Sequence, residues 1–258
     1  MAKPVRRILV TNDDGINAPG LKTAVKIANA LSDDIWVVAP MEEKSGASHS
    51  LSLTQPLRLI KKGMQIYAVT GTPTDCVMFA TRHMLRDDLP ELILSGVNFG
   101  QNIAEDVSYS GTVAAAKEGT LFGIPSMALS QAISLDNRHK IRFEVGVKHG
   151  PAIIRKLLKL DWPRDTLMNI NFPDIEPDAR CKVRITKQGK RDARILSLEE
   201  RIDPRNNSYY WYDFKRESIN AGRGTDIEAI LEGDISITPL KMDHTDTGTK
   251  KKLSALFG

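Results

Sequence analysis

Asn12-Asp13-Asp14-Gly15 sets two carboxylates side by side directly after residues 8–11, an aliphatic run that reads as a buried strand. Adjacent carboxylates held at a strand end repel each other unless protons or a cation compensate, and a divalent ion is the simplest compensation. Other polar segments stand beside apolar runs in a similar way: Ser45-Gly46-Ala47-Ser48, Gly71-Thr72 and Asn98-Phe99-Gly100-Gln101-Asn102. A hydroxyl from Ser45 and an amide oxygen from Asn98, added to Asp13 and Asp14, make an all-oxygen set. Such a set suits Mg²⁺ or Mn²⁺, with Ca²⁺ also accommodated, rather than zinc. Two carboxylates balance the ion's charge, and two neutral donors leave it electrophilic enough to draw in a phosphate. Tyr109-Ser110-Gly111-Thr112 precedes Val113-Ala114-Ala115-Ala116, so small residues with free backbone N–H groups open a helix, a seat for phosphoryl oxygens. Ser110, Gly111 and Thr112, with Asn102 from the neighbouring loop, are therefore the candidate phosphate and substrate contacts. A water attacking phosphorus could pass its proton to Asp13 or Asp14 while Asn12 orients the site, with no covalent intermediate.

The elements that must hold these residues alternate. Residues 8–11 (strand), 21–31 (helix, apolar at helical spacing) and 35–39 (strand ending at Pro40) form a βαβ unit of a parallel sheet. Residues 51–53, 57–60 and 66–69 read as short antiparallel strands in a hairpin-like excursion. Thr72-Pro73-Thr74-Asp75 resembles a capping box with proline at the first helical position, leading into a helix over 76–85. Strands at 92–94 and 124–129 bracket a helix at 113–121, so the first half predicts an α/β fold with a doubly wound, mostly parallel, Rossmann-like sheet. In such a sheet ligands bind beyond the carboxyl ends of the strands, where the polar segments fall. A helix over 143–160, kinked or late-starting because of Pro151, precedes strands at 168–172 and 183–185. A final helix at 227–231 turns into a strand at 235–237. The least regular stretch, about 187–225, holds Tyr209, Tyr210, Trp211, Tyr212 and Phe214, five of the chain's fifteen aromatic residues, and reads as an arm that packs against another surface. Residues 1–258 are expected to form one domain carrying this arm.

At 258 residues, 41% hydrophobic and 26% charged, the chain can bury a substantial core, which excludes disorder and collagen-like repetition. No apolar run approaches the roughly 18 to 20 residues of a membrane span, and the basic start is followed by too short an apolar run for a signal peptide. Cys76 and Cys181 are far apart in sequence and suggest neither a disulfide framework nor a cysteine zinc site, so the cytoplasm is the expected compartment. A net charge of +4 is mild. Without a zinc finger, an RNP-type aromatic motif or a long basic stripe, neither nucleic acid nor a membrane is an expected partner. Walker, dinucleotide-binding, zincin and nucleophile-elbow motifs are absent, which removes the corresponding kinase, dehydrogenase, metalloprotease and hydrolase readings. Of the histidines, only His49 lies in a candidate site loop, as a loop or substrate-side residue rather than a metal ligand. Asp33-Asp34 and Asp87-Asp88 each follow a helix and read as solvated turns.

Residues 8–21 (Ile-Leu-Val-Thr-Asn-Asp-Asp-Gly-Ile-Asn-Ala-Pro-Gly-Leu), with Ala39-Pro40, Ser45-Gly46-Ala47-Ser48, residues 71–77, residues 95–102 and residues 109–113, closely resemble the SurE family of survival-protein nucleotidases. The resemblance runs through about residues 8–130, returns over Thr225-Asp226 and 235–240, and is loose across 131–224. It implies a metal-dependent phosphatase that hydrolyses nucleoside monophosphates at the 5′ and often the 3′ position. It implies ligation of one divalent cation per subunit by Asp13, Asp14, Ser45 and Asn98, and phosphate contact by Ser110-Gly111-Thr112. It further implies a cytoplasmic homodimer or homotetramer assembled partly through an exchanged C-terminal arm, which gives the segment around Trp211 a role.

Two other readings compete. A haloacid-dehalogenase-like phosphatase would place a nucleophilic aspartate where this chain has Asn12, which cannot act as a nucleophile. A non-catalytic nucleotide sensor could use the same crevice, binding a monophosphate with metal but releasing no inorganic phosphate.

Overall fold

Six parallel strands form the centre of the molecule, in a computed structural model that describes residues 3–133, 141–191, 196–214 and 221–258. The chain begins with β1 (Arg7–Thr11), α1 (Pro19–Asn29) and β2 (Asp34–Pro40), the expected βαβ unit, with β1 and β2 parallel. Proline at the start of α1 sets its backbone for a helix, and Leu21, Ala24, Ile27 and Ala28 then recur on one buried face. Next come β3 (Leu59–Gly63) and β4 (Ile66–Val69), a hairpin whose second strand adds parallel to β2. The expected excursion is thus an extension of the main sheet. Residues 51–53 are not a strand: Ser52 is drawn to Asp75 by its amide and hydroxyl, and Leu53 is 86% exposed, with no core to bury it.

The helix expected at 76–85 is α2 (Pro73–Phe79), continued by one π turn over Ala80–Met84. Its capping box is complete, with Thr72 accepting from the Asp75 N–H and Asp75 accepting from the Thr72 N–H. Beyond it, β5 (Leu92–Phe99) runs past Gly96, where the sequence reading ended it. The register against its neighbour shifts between Ser95 and Asn98. Gly96 sits at φ +130, and a Cβ there would collide with the Leu129 carbonyl, so the shift needs glycine. The short α3 (Asp106–Tyr109) and α4 (Gly111–Leu121) lead to β6 (Ser126–Gln131). Then follow α5 (Glu144–Leu157), which passes through Pro151, and β7 (Thr166–Phe172).

The chain closes through β8 (Val183–Ile185), β9 (Leu196–Ile202), β10 (Ser208–Phe214), α6 (Asp226–Leu231), β11 (Ile235–Lys241) and α7 (Thr247–Phe257). The sheet order is β3-β4-β2-β1-β5-β6-β7-β11-β8, parallel from β4 to β7, with β3 antiparallel to β4, β11 antiparallel to β7, and β8 parallel to β11. Helices α1 and α5 cover one face, where Ile8, Val10, Leu92, Leu94 and Phe172 are buried. On the opposite face α2 and α4 cover Leu9, Val38 and Ile93. This alternation of consecutive strand residues between two cores makes each central strand apolar on both faces.

Much of the stretch read as irregular is in fact regular. Strands β9 and β10 pair antiparallel from Leu196↔Phe214 to Ile202↔Ser208 as a two-stranded ribbon separate from the main sheet. Rings on both of its faces, Tyr210 and Trp211 among them, stay exposed. The rest of that stretch in 192–195 and 215–220 lies outside the described residues.

Candidate functional site

The strand order reverses direction at β1: the chain first builds outward through β2 and β4, then crosses back to add β5, β6 and β7 on the other side. The carboxyl ends of β1 and β5 therefore flank the switch point where an open α/β sheet has its crevice. Asn12, Asp13 and Asp14 leave β1 there, and Asn98 and Phe99 end β5 beside them, with Thr11 and Ser95 paired in register.

Hydrogen bonds bring the start of α4 and the end of β5 onto the two carboxylates, and the Ser45 loop onto the Asp13 backbone. Thr112 donates its hydroxyl to Asp13 Oδ1, and Gly111 lies so close that a Cβ would come within 2.8 Å of the Asp13 Cβ, so α4 can approach only through glycine. The Phe99 N–H donates to Asp14 Oδ2 at 3.1 Å. The Lys44 N–H donates to the Asp13 carbonyl at 2.8 Å, which ties the Ser45 loop to β1. That loop is fastened at its far end by the Ser48 hydroxyl on the Ser108 carbonyl, the Ser48 N–H on the Tyr109 carbonyl, and His49 Nε2 against Glu118 Oε2 at 2.8 Å. His49 is thus a loop clamp.

Burial pushes the Asp13 carboxyl up, opposed by the Thr112 hydroxyl and by the backbone amides at the start of α4. Asp14 is pushed up to about 7 by burial, by the charge of Asp13 and by Glu43, against a single opposing hydrogen bond from Phe99. No basic side chain is among these influences, so among the described residues the two adjacent carboxylates at the strand end have no counter-charge. The neutral donors match that need. Asn98 gives its amide nitrogen to the Gly100 carbonyl at 2.9 Å, which commits the donor end of the side chain and leaves Oδ1 as its acceptor. Ser45 is exposed, its hydroxyl on Glu43 at 2.8 Å. Asn12 is fully buried, donates to the Gly15 carbonyl, and its Oδ1 finds no partner among the described residues. Unpaired carboxylates with neutral oxygen donors nearby fit a hard divalent cation. Among the described residues no three His, Cys, Asp or Glu side chains gather, so a centre here must complete itself with Ser45, Asn98 or water.

The phosphate seat is organised differently from the sequence reading. Ser110 caps α4, its hydroxyl accepting from the Val113 N–H at 3.0 Å, while Thr112 is committed to Asp13. Asn102 is buried in a polar knot: its side-chain amide donates to Ser130, its N–H to Asn171 Oδ1, and its carbonyl accepts from Asn169 and Asn171. This knot braces the loop that leads to α3 and α4. Asp226 supports the same loop, accepting from the Ala104 and Gly189 N–H groups, and Arg191 pairs with Asp106. None of these long-range partners has a local sequence signature; the lone signal was the return of the family pattern at Thr225-Asp226. An apolar hollow of about 320 Å³ at the β8 edge, lined by His149, Ile153, Leu157, Val183 and Ile185, lacks any such convergence of carboxylates and amides.

The family model described as Survival protein SurE matches residues 8–195. This chain belongs to the SurE family. A 5'-nucleotidase SurE of Parvibaculum lavamentivorans is 54% identical over 252 residues, covering 98% of this chain and 91% of that protein. The 5'-nucleotidase SurE of Azorhizobium caulinodans is likewise 54% identical, over 97% of this chain and 98% of its own. The crystal structure of SurE from Aquifex aeolicus superposes with a TM-score of 0.84 at 38% identity, covering 98% of this chain and all of that one. The likeness to SurE proteins therefore extends through the middle of the chain, where motifs alone were loose, and the mostly parallel α/β sheet is the SurE fold.

Proposed function

We propose that this chain is a divalent-metal-dependent phosphomonoesterase that hydrolyses nucleoside 5′-monophosphates, and 3′-monophosphates as well, to nucleoside and inorganic phosphate. The observation that carries this reading is the Asp13–Asp14 pair at the switch point, without a counter-charge and set against the opening of α4. It is supported by relatives at 54% identity that bear the name 5'-nucleotidase. Asp13, Asp14, Ser45 and Asn98 hold the ion, Mg²⁺ or Mn²⁺ before Ca²⁺. When bound, the ion polarises the phosphoryl group and screens its charge.

The chain's own residues do the rest. Thr112 and the Phe99 N–H fix the two carboxylates, so their oxygens keep one orientation as the phosphate enters. Residues Ser110 to Thr112, at the positive end of α4, receive the phosphoryl oxygens, and Asn102 holds the adjoining loop in place. Asn12 fixes the Gly15 turn and turns its free Oδ1 inward. A water attacks phosphorus and passes its proton to Asp13 or Asp14, the ester P–O bond breaks, and the departing nucleoside oxygen takes a proton from that carboxyl group or from solvent to leave as the hydroxyl. With Asn12 in place of an aspartate there is no phosphoenzyme.

The exposed ribbon β9–β10 and α7, which buries none of its residues, support assembly into a homodimer or homotetramer through these arms. No described helix is long and apolar enough to cross a membrane, and the reading places the enzyme in the cytoplasm. The test is phosphate release from 5′ and 3′ nucleoside monophosphates after chelation and after Mg²⁺, Mn²⁺ or Ca²⁺ is restored. Metal-dependent release is expected. Binding without release would make the protein a sensor, and a trapped phosphoaspartate would revive the dehalogenase-like mechanism.

A further inference from the structure

Strongly exposed aromatic rings occur in three places among the described residues: the β9–β10 ribbon, Phe257 at the end of α7, and the rim of the Asp13–Asp14 centre. At that rim Phe99 is 51% exposed and Tyr109 61%. Their own backbones tie Phe99 to the centre and Tyr109 to the Ser45 loop. The Phe99 N–H holds Asp14 Oδ2, and Phe99 follows Asn98 directly. The Tyr109 carbonyl accepts from Ser48, and Tyr109 directly precedes the Ser110 cap of α4. Neither ring is covered by another: the ring pairs among the described residues are Trp36 with Tyr67 and Phe79 with His83. Two apolar rings are thus held beside a polar, charged crevice and left facing solvent, forgoing the burial that stabilises aromatic side chains elsewhere in the fold. A flat, partly apolar group attached to the phosphate would cover them. A nucleobase is such a group, and stacking on an aromatic ring accepts any base because every base has a π face.

We propose that Phe99 and Tyr109 flank a nucleobase slot, with Phe99 the residue that separates nucleotides from base-free phosphate esters. This rests on the nucleotidase reading and adds what that reading does not contain: how the far end of the substrate is recognised. The slot favours purines over pyrimidines through their larger stacking surface.

The test compares AMP with ribose 5-phosphate on the Mn²⁺-loaded protein, for the wild type and for Phe99→Ala, Phe99→Leu and Phe99→Trp. In Phe99→Ala the ratio of kcat/KM for AMP to that for ribose 5-phosphate should fall about tenfold, chiefly through the KM for AMP. Phe99→Trp should restore the ratio, and Phe99→Leu, which keeps bulk without a π face, should not. The proposal is overturned if the ratio does not move. It is equally overturned if both substrates fall together with Mn²⁺ affinity measured by calorimetry, which would place Phe99 behind Asp14 alone. A smaller oligomer for Phe99→Ala in light scattering, with the ratio intact, would make the ring an interface residue and also reject the slot. Should the wild type release phosphate from neither substrate, the nucleotidase reading fails but the slot remains testable by equilibrium AMP binding. About tenfold weaker binding by Phe99→Ala then supports the slot, and equal binding rejects it.

Discussion

Asp14 combines burial, an adjacent like charge and a second carboxylate at Glu43, and the fold supplies one amide to offset them. The sign of the consequence is fixed by the raised carboxyl. Its contribution to folding stability is fully present below the ordinary aspartate range near 3.8 and is lost as pH rises through about 7. The metal-free protein should therefore be less stable at about pH 8 than at about pH 5.5 as far as this group decides. A cation that requires the ionised form should restore stability most at the higher pH. Scanning calorimetry with and without Mn²⁺ checks this: a larger rise in Tm at about pH 8 than at about pH 5.5 is expected, and equal rises contradict it. Asp14→Asn removes the repulsion, so the metal-free variant should unfold at a higher temperature than the wild type at about pH 8, while turnover drops by at least about 10²-fold. A variant that is both active and unchanged in Tm would remove Asp14 from the centre. At this scale the sequence was legible where chemistry lies in neighbouring residues. The adjacency of Asp13 and Asp14 at the end of β1 was legible, and Ser45 and Asn98 were put forward with them because carboxylate, hydroxyl and amide oxygens would make one coherent donor set. The bond of Thr112 to Asp13 was not legible, because a hydrogen bond between two residues 99 apart leaves no trace in local spacing.

Elements position the site by their ends. The loop after β2 is held at Lys44 by β1 and at Ser48 and His49 by α3 and α4, so Ser45 is suspended between two fixed points. His49→Ala cuts one suspension and leaves the Glu118 carboxylate, itself largely buried, without its partner. Mn²⁺ affinity by calorimetry should fall by about tenfold, as for other groups that orient metal ligands, with secondary structure kept. Unaltered affinity would mean that the loop is fixed without His49. Thr72→Ala, which removes the cap of α2 and the bond from its hydroxyl to the Ser50 carbonyl, should cost about 1 kcal/mol in denaturant unfolding. The βαβ start, the capping box, α4 and the final strand were legible from periodicity and cap chemistry. Residues 51–53 misled because a short apolar run has the same appearance whether or not a neighbouring strand exists to pair with it, and here Ser52 prefers Asp75. The ribbon β9–β10 was missed for the complementary reason: its strands, such as Leu198↔Tyr212 and Arg201↔Tyr209, mix charge and rings on both faces and show no inside and outside.

For the whole molecule, one reversal of strand order decides where everything else gathers. The polar loops of β1, β2 and β5 and the start of α4 come from the first half of the chain, which was also the half most legible in sequence. The second half mainly braces it: β7 through Asn169 and Asn171, α6 through Asp226, and the 185–191 segment through Arg191. Those braces act between distant residues, so they emerged with the structure. The proposed assembly through the ribbon rests on the exposed rings of β9–β10. Trp211→Asp should reduce the mass seen in light scattering while leaving the main sheet folded, and an unchanged mass would assign the ribbon another purpose.

The central claim is that one cation is gripped by Asp13, Asp14, Ser45 and Asn98. Anomalous diffraction from a crystal of this protein soaked in Mn²⁺ tests it most directly. The account predicts one strong peak in contact with oxygens of these four side chains at the ends of β1 and β5; an empty crevice, or manganese bound elsewhere with these side chains turned apart, would contradict it.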